Sequence, residues 1–275
     1  LYYAKSLKAR LVWKILDGML NKSIEKGDPN LNVIFIYNEP IRAIGKMMGG
    51  MVSQRMCDGI LDIVNGHGIA FCKGLGKIIG GFFQQQDSKA LPFYFVQLAN
   101  YLARKDVQPN SGWAFLRESQ RKAMQLDGVG MMVNIDIGEA NDIHPKNKQE
   151  VGRRLALLAL NRTYGREEPC AAPEFYQMRV SEGKAVLTFR PTWGSDALAQ
   201  NADIKGFTIA GPDHRWHVAK AHTEGERFMS RIVVECPEVP YPIAVRYAWA
   251  DNPETNLVTQ SGLPVGPFRT DDWAE

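Results

Sequence analysis

Apolar residues recur at fourfold spacing in Leu7, Leu11, Ile15 and Met19, with Val12 and Leu20 beside them. That period predicts an amphipathic helix, which ends at the breaker Lys26-Gly27-Asp28-Pro29-Asn30. The pattern then changes. Asn32-Val33-Ile34-Phe35-Ile36-Tyr37 is a short continuous apolar run of the kind found in strands covered on both faces. From Ile41 to Gly81, ten glycines interrupt helical and strand patterns alike, and no single register accounts for the apolar positions.

Order returns at Leu91-Pro92-Phe93-Tyr94-Phe95-Val96-Gln97-Leu98, whose aromatic and β-branched content predicts a strand leading into Ala99-Asn100-Tyr101. Trp113, Leu116, Ala123 and Met124 then form one side of an amphipathic helix, with Arg117, Glu118, Arg121 and Lys122 on its polar face. Residues Gly130 to Ile137 predict the partner strand. Lys148 to Tyr164 predicts a second helix, with Val151, Leu155 and Leu158 as its stripe, Leu157 and Leu160 widening it, and Gly165 as its C-terminal cap. Strand, helix, strand, loop, helix is a βαβ arrangement and implies a parallel sheet. Ligands of such sheets collect beyond the strand C-terminal ends, which directs attention to the loop Gly138 to Asn147.

After residue 168 the helical periods give way to about five short strands, around 177–180, 185–190, 206–210, 231–234 and 243–249. Ser181-Glu182-Gly183, Gly211-Pro212-Asp213 and Asp251-Asn252-Pro253 supply the turns between them. The expected organisation is therefore an α/β domain with a parallel sheet over residues 1–167, followed by a small all-β, sandwich-like domain over 168–275. The chain shows no internal repeat and no low-complexity tract.

Composition narrows the function classes. Of 275 residues, 45% are apolar and 23% charged, which is ordinary for a globular chain and excludes collagen-like, disordered and coiled-coil readings. The net charge of +3 is too small for a protein that coats nucleic acid or an anionic membrane. It is unevenly spread: residues 1–90 carry 12 Lys and Arg against 7 Asp and Glu, leaving 21 against 23 for the rest. No apolar run approaches the roughly 18 residues of a membrane span. Cys57, Cys72, Cys170 and Cys236 are too scattered for a disulfide scaffold and form no C-x-x-C pair, so they are expected to be buried free thiols. The start, Leu1-Tyr2-Tyr3-Ala4-Lys5, carries neither an initiator Met nor a signal-peptide pattern, and reads as processed, truncated or incompletely recorded.

Reactive groups are densest in Asp136-Ile137-Gly138-Glu139-Ala140-Asn141-Asp142-Ile143-His144-Pro145. A His two residues after an Asp, on a loop and followed by Pro, suits a general base held by a carboxylate. Two other readings stand beside it. Asp142 and Asn141 could cap a turn beside a solvated His144, or Asp136, Glu139, Asp142 and His144 could offer ligands to a metal. His214, His217 and His222 read as exposed strand residues of the β domain, His214 and His217 facing opposite sides. Gly74-Leu75-Gly76-Lys77-Ile78-Ile79-Gly80 imitates a dinucleotide loop, but its last interval is one residue too long and no acidic residue follows convincingly about 20 positions on. Neither a G-x-S-x-G elbow nor a P-loop occurs. Core packing, not sugar or base stacking, is expected of Phe93, Tyr94, Phe95 and Trp249.

Five strings extend this picture: LPFYFVQLANY at 91–101, WAFLRESQ at 113–120, IDIGEANDIHPKNKQEVGRRL at 135–155, GFTIAG at 206–211, and VRYAWADNPETNLVTQSGLPVGPFRTDDW at 245–273. In this order, over about 185 residues, they resemble the C-terminal two-thirds of the bacterial sialate O-acetylesterases, carbohydrate esterases of the SGNH hydrolase type. The resemblance implies a flavodoxin-like hydrolase domain followed by a β-sandwich-like region. It also implies hydrolysis of acetyl esters on sugar hydroxyls through an acyl-serine, with acetylated sialic acid as first-choice substrate and acetylated xylan or other plant glycans as relatives. His144 matches the family's base and Asp142 its orienting acid, with Asp136 as the fallback; many SGNH enzymes place that Asp three residues before the His, where this chain has Asn141. No metal or organic cofactor is implied, the partner is an acetylated sugar or glycan rather than nucleic acid, and the compartment is periplasmic or secreted.

Residues 1–90 depart from the family's pattern. Its G-Q-S-N-M nucleophile motif does not occur, and the nearest counterpart of its W-Y-Q-G-E-S-N oxyanion segment, Val52-Ser53-Gln54-Arg55-Met56-Cys57-Asp58, lacks the Gly and Asn that the chemistry needs. The change from poor to excellent match near residue 90 favours a serine on a missing piece, or an unreliably recorded front, over gradual loss of catalysis. The alternative function is a non-catalytic glycan-binding or structural module derived from the same family.

Overall fold

The structure is a computed structural model that describes residues 34–36, 92–125, 128–226 and 229–273. The leading helix, the glycine-rich segment 41–81, the dinucleotide-like loop, Cys57 and Cys72 lie outside the described residues. Strand β1 (Ile34–Ile36) falls within the first apolar run and pairs in parallel with β2 (Phe93–Val96), Ile34 opposite Phe93. On its other side β2 pairs in parallel with β3 (Val129–Met132), Phe95 opposite Met131, so the sheet order is β1-β2-β3. Helix α1 (Gly112–Lys122), extended by a 3-10 turn over Ala123–Gln125, joins β2 to β3 and makes the expected βαβ connection.

All four residues of β2 are buried, as their apolar run requires of a central strand. Helix α2 (Lys148–Arg162) packs on β2 and β3 through Val151, Leu155 and Leu158, the predicted stripe. It starts at Asn147, whose side-chain oxygen accepts the Glu150 N–H at 3.2 Å. It stops where Gly165, at φ +66°, turns the chain so that Arg166 N–H donates to the Leu160 carbonyl at 2.9 Å. Gly130 on β3 is a close-approach position: a Cβ there would stand 2.8 Å from the Tyr94 ring and 3.2 Å from a Leu158 methyl.

The remaining strands form two antiparallel four-stranded sheets. One is β4 (Glu174–Ser181), β5 (Lys184–Arg190), β9 (Arg231–Glu235) and β8 (Lys220–Glu224), in that spatial order. The other is β11 (Phe268–Arg269), β10 (Ala244–Tyr247), β6 (Phe207–Ala210) and β7 (Trp216–Val218). Between β4 and β5, Glu182 and Gly183 both have positive φ and close a two-residue hairpin, the conformation that matches the strands' twist. Leu187, Ile232 and Val234 from the first sheet share one core with Ile209, Val245 and Tyr247 from the second. Phe175 on β4 stacks on Phe268 of β11 with ring centroids 4.8 Å apart.

The chain divides into two compact units. One comprises 1–97, 119–132 and 146–166; the other comprises 98–118, 133–145 and 167–275. The whole is mixed α/β, with one small parallel and two antiparallel sheets.

Three local expectations are corrected. The strand predicted to run to Ile137 ends at Met132, because Ile135, fully buried, enters the core of the antiparallel sheets and Asn134 to Ile137 turns. Arg117, expected on a polar face, has no exposed surface. His214 sits in a turn at φ +57°, stacked on Trp273 at 3.9 Å, and not on a strand.

Candidate active site

The loop after β3 is built on the second compact unit. Asn100, just beyond β2, accepts the Gly138 N–H with its side-chain oxygen at 2.6 Å. Its amide nitrogen donates to Asn252 Oδ1 at 2.8 Å, and Asn252 in turn donates to the Leu102 carbonyl at 2.6 Å. Both asparagines are buried. Tyr101 bridges Glu139 in parallel, Glu139 bridges Asp142, and Leu102 N–H donates to the Ala140 carbonyl at 3.1 Å. Leu102 is held at φ +74°, a conformation that L-residues rarely adopt and that surrounding bonds must impose. Gly138 is obligatory here, since a Cβ would lie 1.9 Å from the Asn100 carbonyl oxygen.

Arg117 underlies this arrangement. Its guanidinium donates to the carbonyls of Leu98 (2.9 Å), Ala99 (2.8 Å), Ala250 (2.7 Å) and Asp251 (2.8 Å). Helix α1 thereby fixes the segment after β2 against the 250–252 turn. Burial pushes the Arg117 guanidinium down to about 9, with the Asp251 carboxylate pulling the other way, so it stays charged at neutral pH. Asp251 also accepts from Ser111 Oγ at 2.6 Å and from Gln108, and Ser111 Oγ accepts the Ala114 N–H at 3.0 Å as the helix cap. Sequence reasoning missed Arg117 because, as a charge next to Glu118 and with Arg121 at i+4, it reads as part of a polar face. Its one signal was its position after Trp113 and Phe115, whose rings need a buried surface of their own.

Asp142 and His144 come together. Asp142 Oδ1 lies 3.3 Å from His144 Nδ1 and also accepts the His144 backbone N–H at 2.9 Å. Both side chains are a little over 40% exposed, so the pair is open to solvent. With the carboxylate on Nδ1, Nε2 is the ring nitrogen that can exchange a proton with a bound hydroxyl. The backbone contact is an Asx-type turn, so the capping role and the His-orienting role fall on one oxygen. Asp136, the fallback acid, is exposed on the turn at the start of the loop. Among the described residues, no three His, Cys, Asp or Glu side chains group as a metal site. Cys170 and Cys236 are buried, and neither is in a disulfide.

Known proteins share much of this chain. Over 206 residues, 67% of the chain, it is 27% identical to the sialate O-acetylesterase of Homo sapiens and, over the same share, 28% identical to that of Mus musculus. The chain is a homologue of the sialate O-acetylesterases. It spans 38% and 37% of the length of these two relatives. Among solved structures, a carbohydrate acetylesterase from Xanthomonas citri is 42% identical and superposes with a TM-score of 0.66, covering 74% of this chain and 46% of that one. No family model matches the chain. All three of these proteins are named as acetylesterases. No helix among the described residues is long and apolar enough to cross a membrane.

Proposed function

We propose that the chain is part of a carbohydrate O-acetylesterase that removes acetyl groups from sugar hydroxyls, with O-acetylated sialic acid as first-choice substrate. The observation that carries the reading is the 3.3 Å contact of Asp142 with His144 Nδ1 on the loop after a parallel strand, in a homologue of sialate O-acetylesterases. His144 Nε2 takes the proton of a serine hydroxyl as that oxygen attacks the acetyl carbonyl. Asp142 holds the ring's tautomer and stabilises the imidazolium. The proton then passes to the departing sugar oxygen, leaving an acetyl-serine that water hydrolyses with His144 again as base. In this reading residues 1–167 belong to an SGNH-type hydrolase domain, 168–275 to a β-sandwich-like domain, and the protein works in the periplasm or outside the cell. No cofactor is required.

The second reading, a non-catalytic glycan-binding or structural module, draws on one feature: no G-Q-S-N type serine motif stands in the sequence. The two are separated by treating the purified protein with a fluorophosphonate probe and mapping the labelled peptide by mass. The esterase reading expects one serine labelled, with labelling lost in His144→Ala. Sugar binding with no labelled serine would favour the module.

A further inference from the structure

We propose that Asn252 and Asn100 are positioning residues of the acid–base loop: a buried amide relay, Asn252 to Asn100 to Gly138, sets the backbone that carries Asp142 and His144. The inference rests on the roles proposed above for those two residues. In sequence, the loop follows β3 and precedes α2, and would be expected to depend on the parallel sheet and its helices. The hydrogen bond at Gly138 leads elsewhere. Gly138 N–H is held at 2.6 Å by Asn100, Asn100 at 2.8 Å by Asn252, and Asn252 at 2.6 Å to the Leu102 carbonyl. Asn252 lies far downstream of the loop in the chain, in the turn after β10.

The relay has one workable polarity. Gly138 N–H can only donate, so Asn100 presents oxygen to it and nitrogen to Asn252, which must then present oxygen to Asn100 and nitrogen to Leu102. Both side chains are buried, so water does not readily replace either partner. Gly138 is in turn locked in place, since it faces the Asn100 carbonyl too closely for any side chain. From Gly138, the bridges of Tyr101 with Glu139 and of Glu139 with Asp142 carry the placement to the carboxylate that touches His144. A carboxylate–imidazole pair more than 40% exposed has little packing of its own to hold it, so its aim depends on this backbone.

The test compares amide hydrogen exchange at Gly138 in the full chain and its variants. Asn252→Ala is expected to speed exchange at Gly138 by about tenfold or more. Asn100→Ala provides the same readout at the next link, should the Asn252 variant fail to fold. Asn256→Ala, which removes comparable side-chain ties to Lys205 N–H and the Asp203 carbonyl, is expected to leave Gly138 unchanged. Unchanged exchange in both alanine variants, or an equal acceleration in Asn256→Ala, would overturn the relay. Acetate release from O-acetylated sialic acid is followed in parallel, with kcat expected to fall in Asn252→Ala at unchanged KM. An unmodified chain that releases no acetate counts against the esterase reading, whereas the exchange contrast decides the relay independently.

Discussion

Replacing Arg117 with Met tests how the site's floor is held together. The side chain has no exposed surface and makes four hydrogen bonds of 2.7–2.9 Å to backbone carbonyls. Bonds from a charged donor contribute about 1.5–3 kcal/mol each, a gross gain of roughly 6–12 kcal/mol. Against it stands the desolvation of a buried guanidinium, several kcal/mol, which is the force that lowers its pKa. Met fills most of the volume and carries no charge, so it removes both terms. Two of the four carbonyls keep another donor, Ala99 from Trp113 Nε1 and Asp251 from Tyr101 N–H, each at 3.1 Å. The expected net loss is therefore about 3 kcal/mol, towards the low end of what breaking buried charged contacts costs. Urea denaturation followed by circular dichroism measures it, and Tyr101 amide exchange should accelerate in the same variant because its acceptor is no longer fixed. Stability within about 0.5 kcal/mol of the unmodified protein would overturn this balance, since that is the range of a featureless surface change.

Two further expectations follow from local geometry. Gly130→Ala places a methyl 2.8 Å from the Tyr94 ring and 3.2 Å from Leu158, and should cost about 1–3 kcal/mol of stability by denaturation. Glu150 is held below the usual carboxylate range chiefly by its hydrogen bond from Arg153, with Arg154 adding to it. Because its folded pKa is depressed, this contribution is present above the ordinary Glu pKa and is lost as pH falls through the lowered value. Glu150→Gln should therefore lose stability at pH 7 and flatten the acid limb of a stability–pH curve; an unchanged acid limb would count against the linkage.

Much of the scaffold was legible from residue pattern. The run 32–37 contains β1 and the aromatic stretch after Pro92 contains β2; the Val151, Leu155, Leu158 stripe is the buried face of α2 because it keeps a single helical period. The five strands expected after residue 168 all form, within a few residues at their ends, while β7, β8 and β11 escaped notice: they are short, polar or edge segments with no alternation to read. Asp142 and His144 were visible as a pair because they stand two residues apart on one loop. Arg117, Asn100 and Asn252 were not. A charged residue that spends its donors on carbonyls 18 and 133 residues away leaves no mark on helical periodicity, and two asparagines 152 apart carry no local signal that they share a bond. The end of β3 was missed for a related reason: Ile135 alternates like a strand residue, but the core it fills belongs to the antiparallel sheets.

Everything proposed for the site depends on this chain taking part in hydrolysis of acetyl esters on sugars with His144 as base. Acetate release from O-acetylated sialic acid should be measured for the purified protein beside His144→Ala and Asp142→Ala. Release by the unmodified protein is expected, with a loss of about 100-fold or more in His144→Ala and a smaller loss in Asp142→Ala at little change in stability. Release that persists undiminished in His144→Ala, or sugar binding with no acetate released by the unmodified protein, would rule out that role.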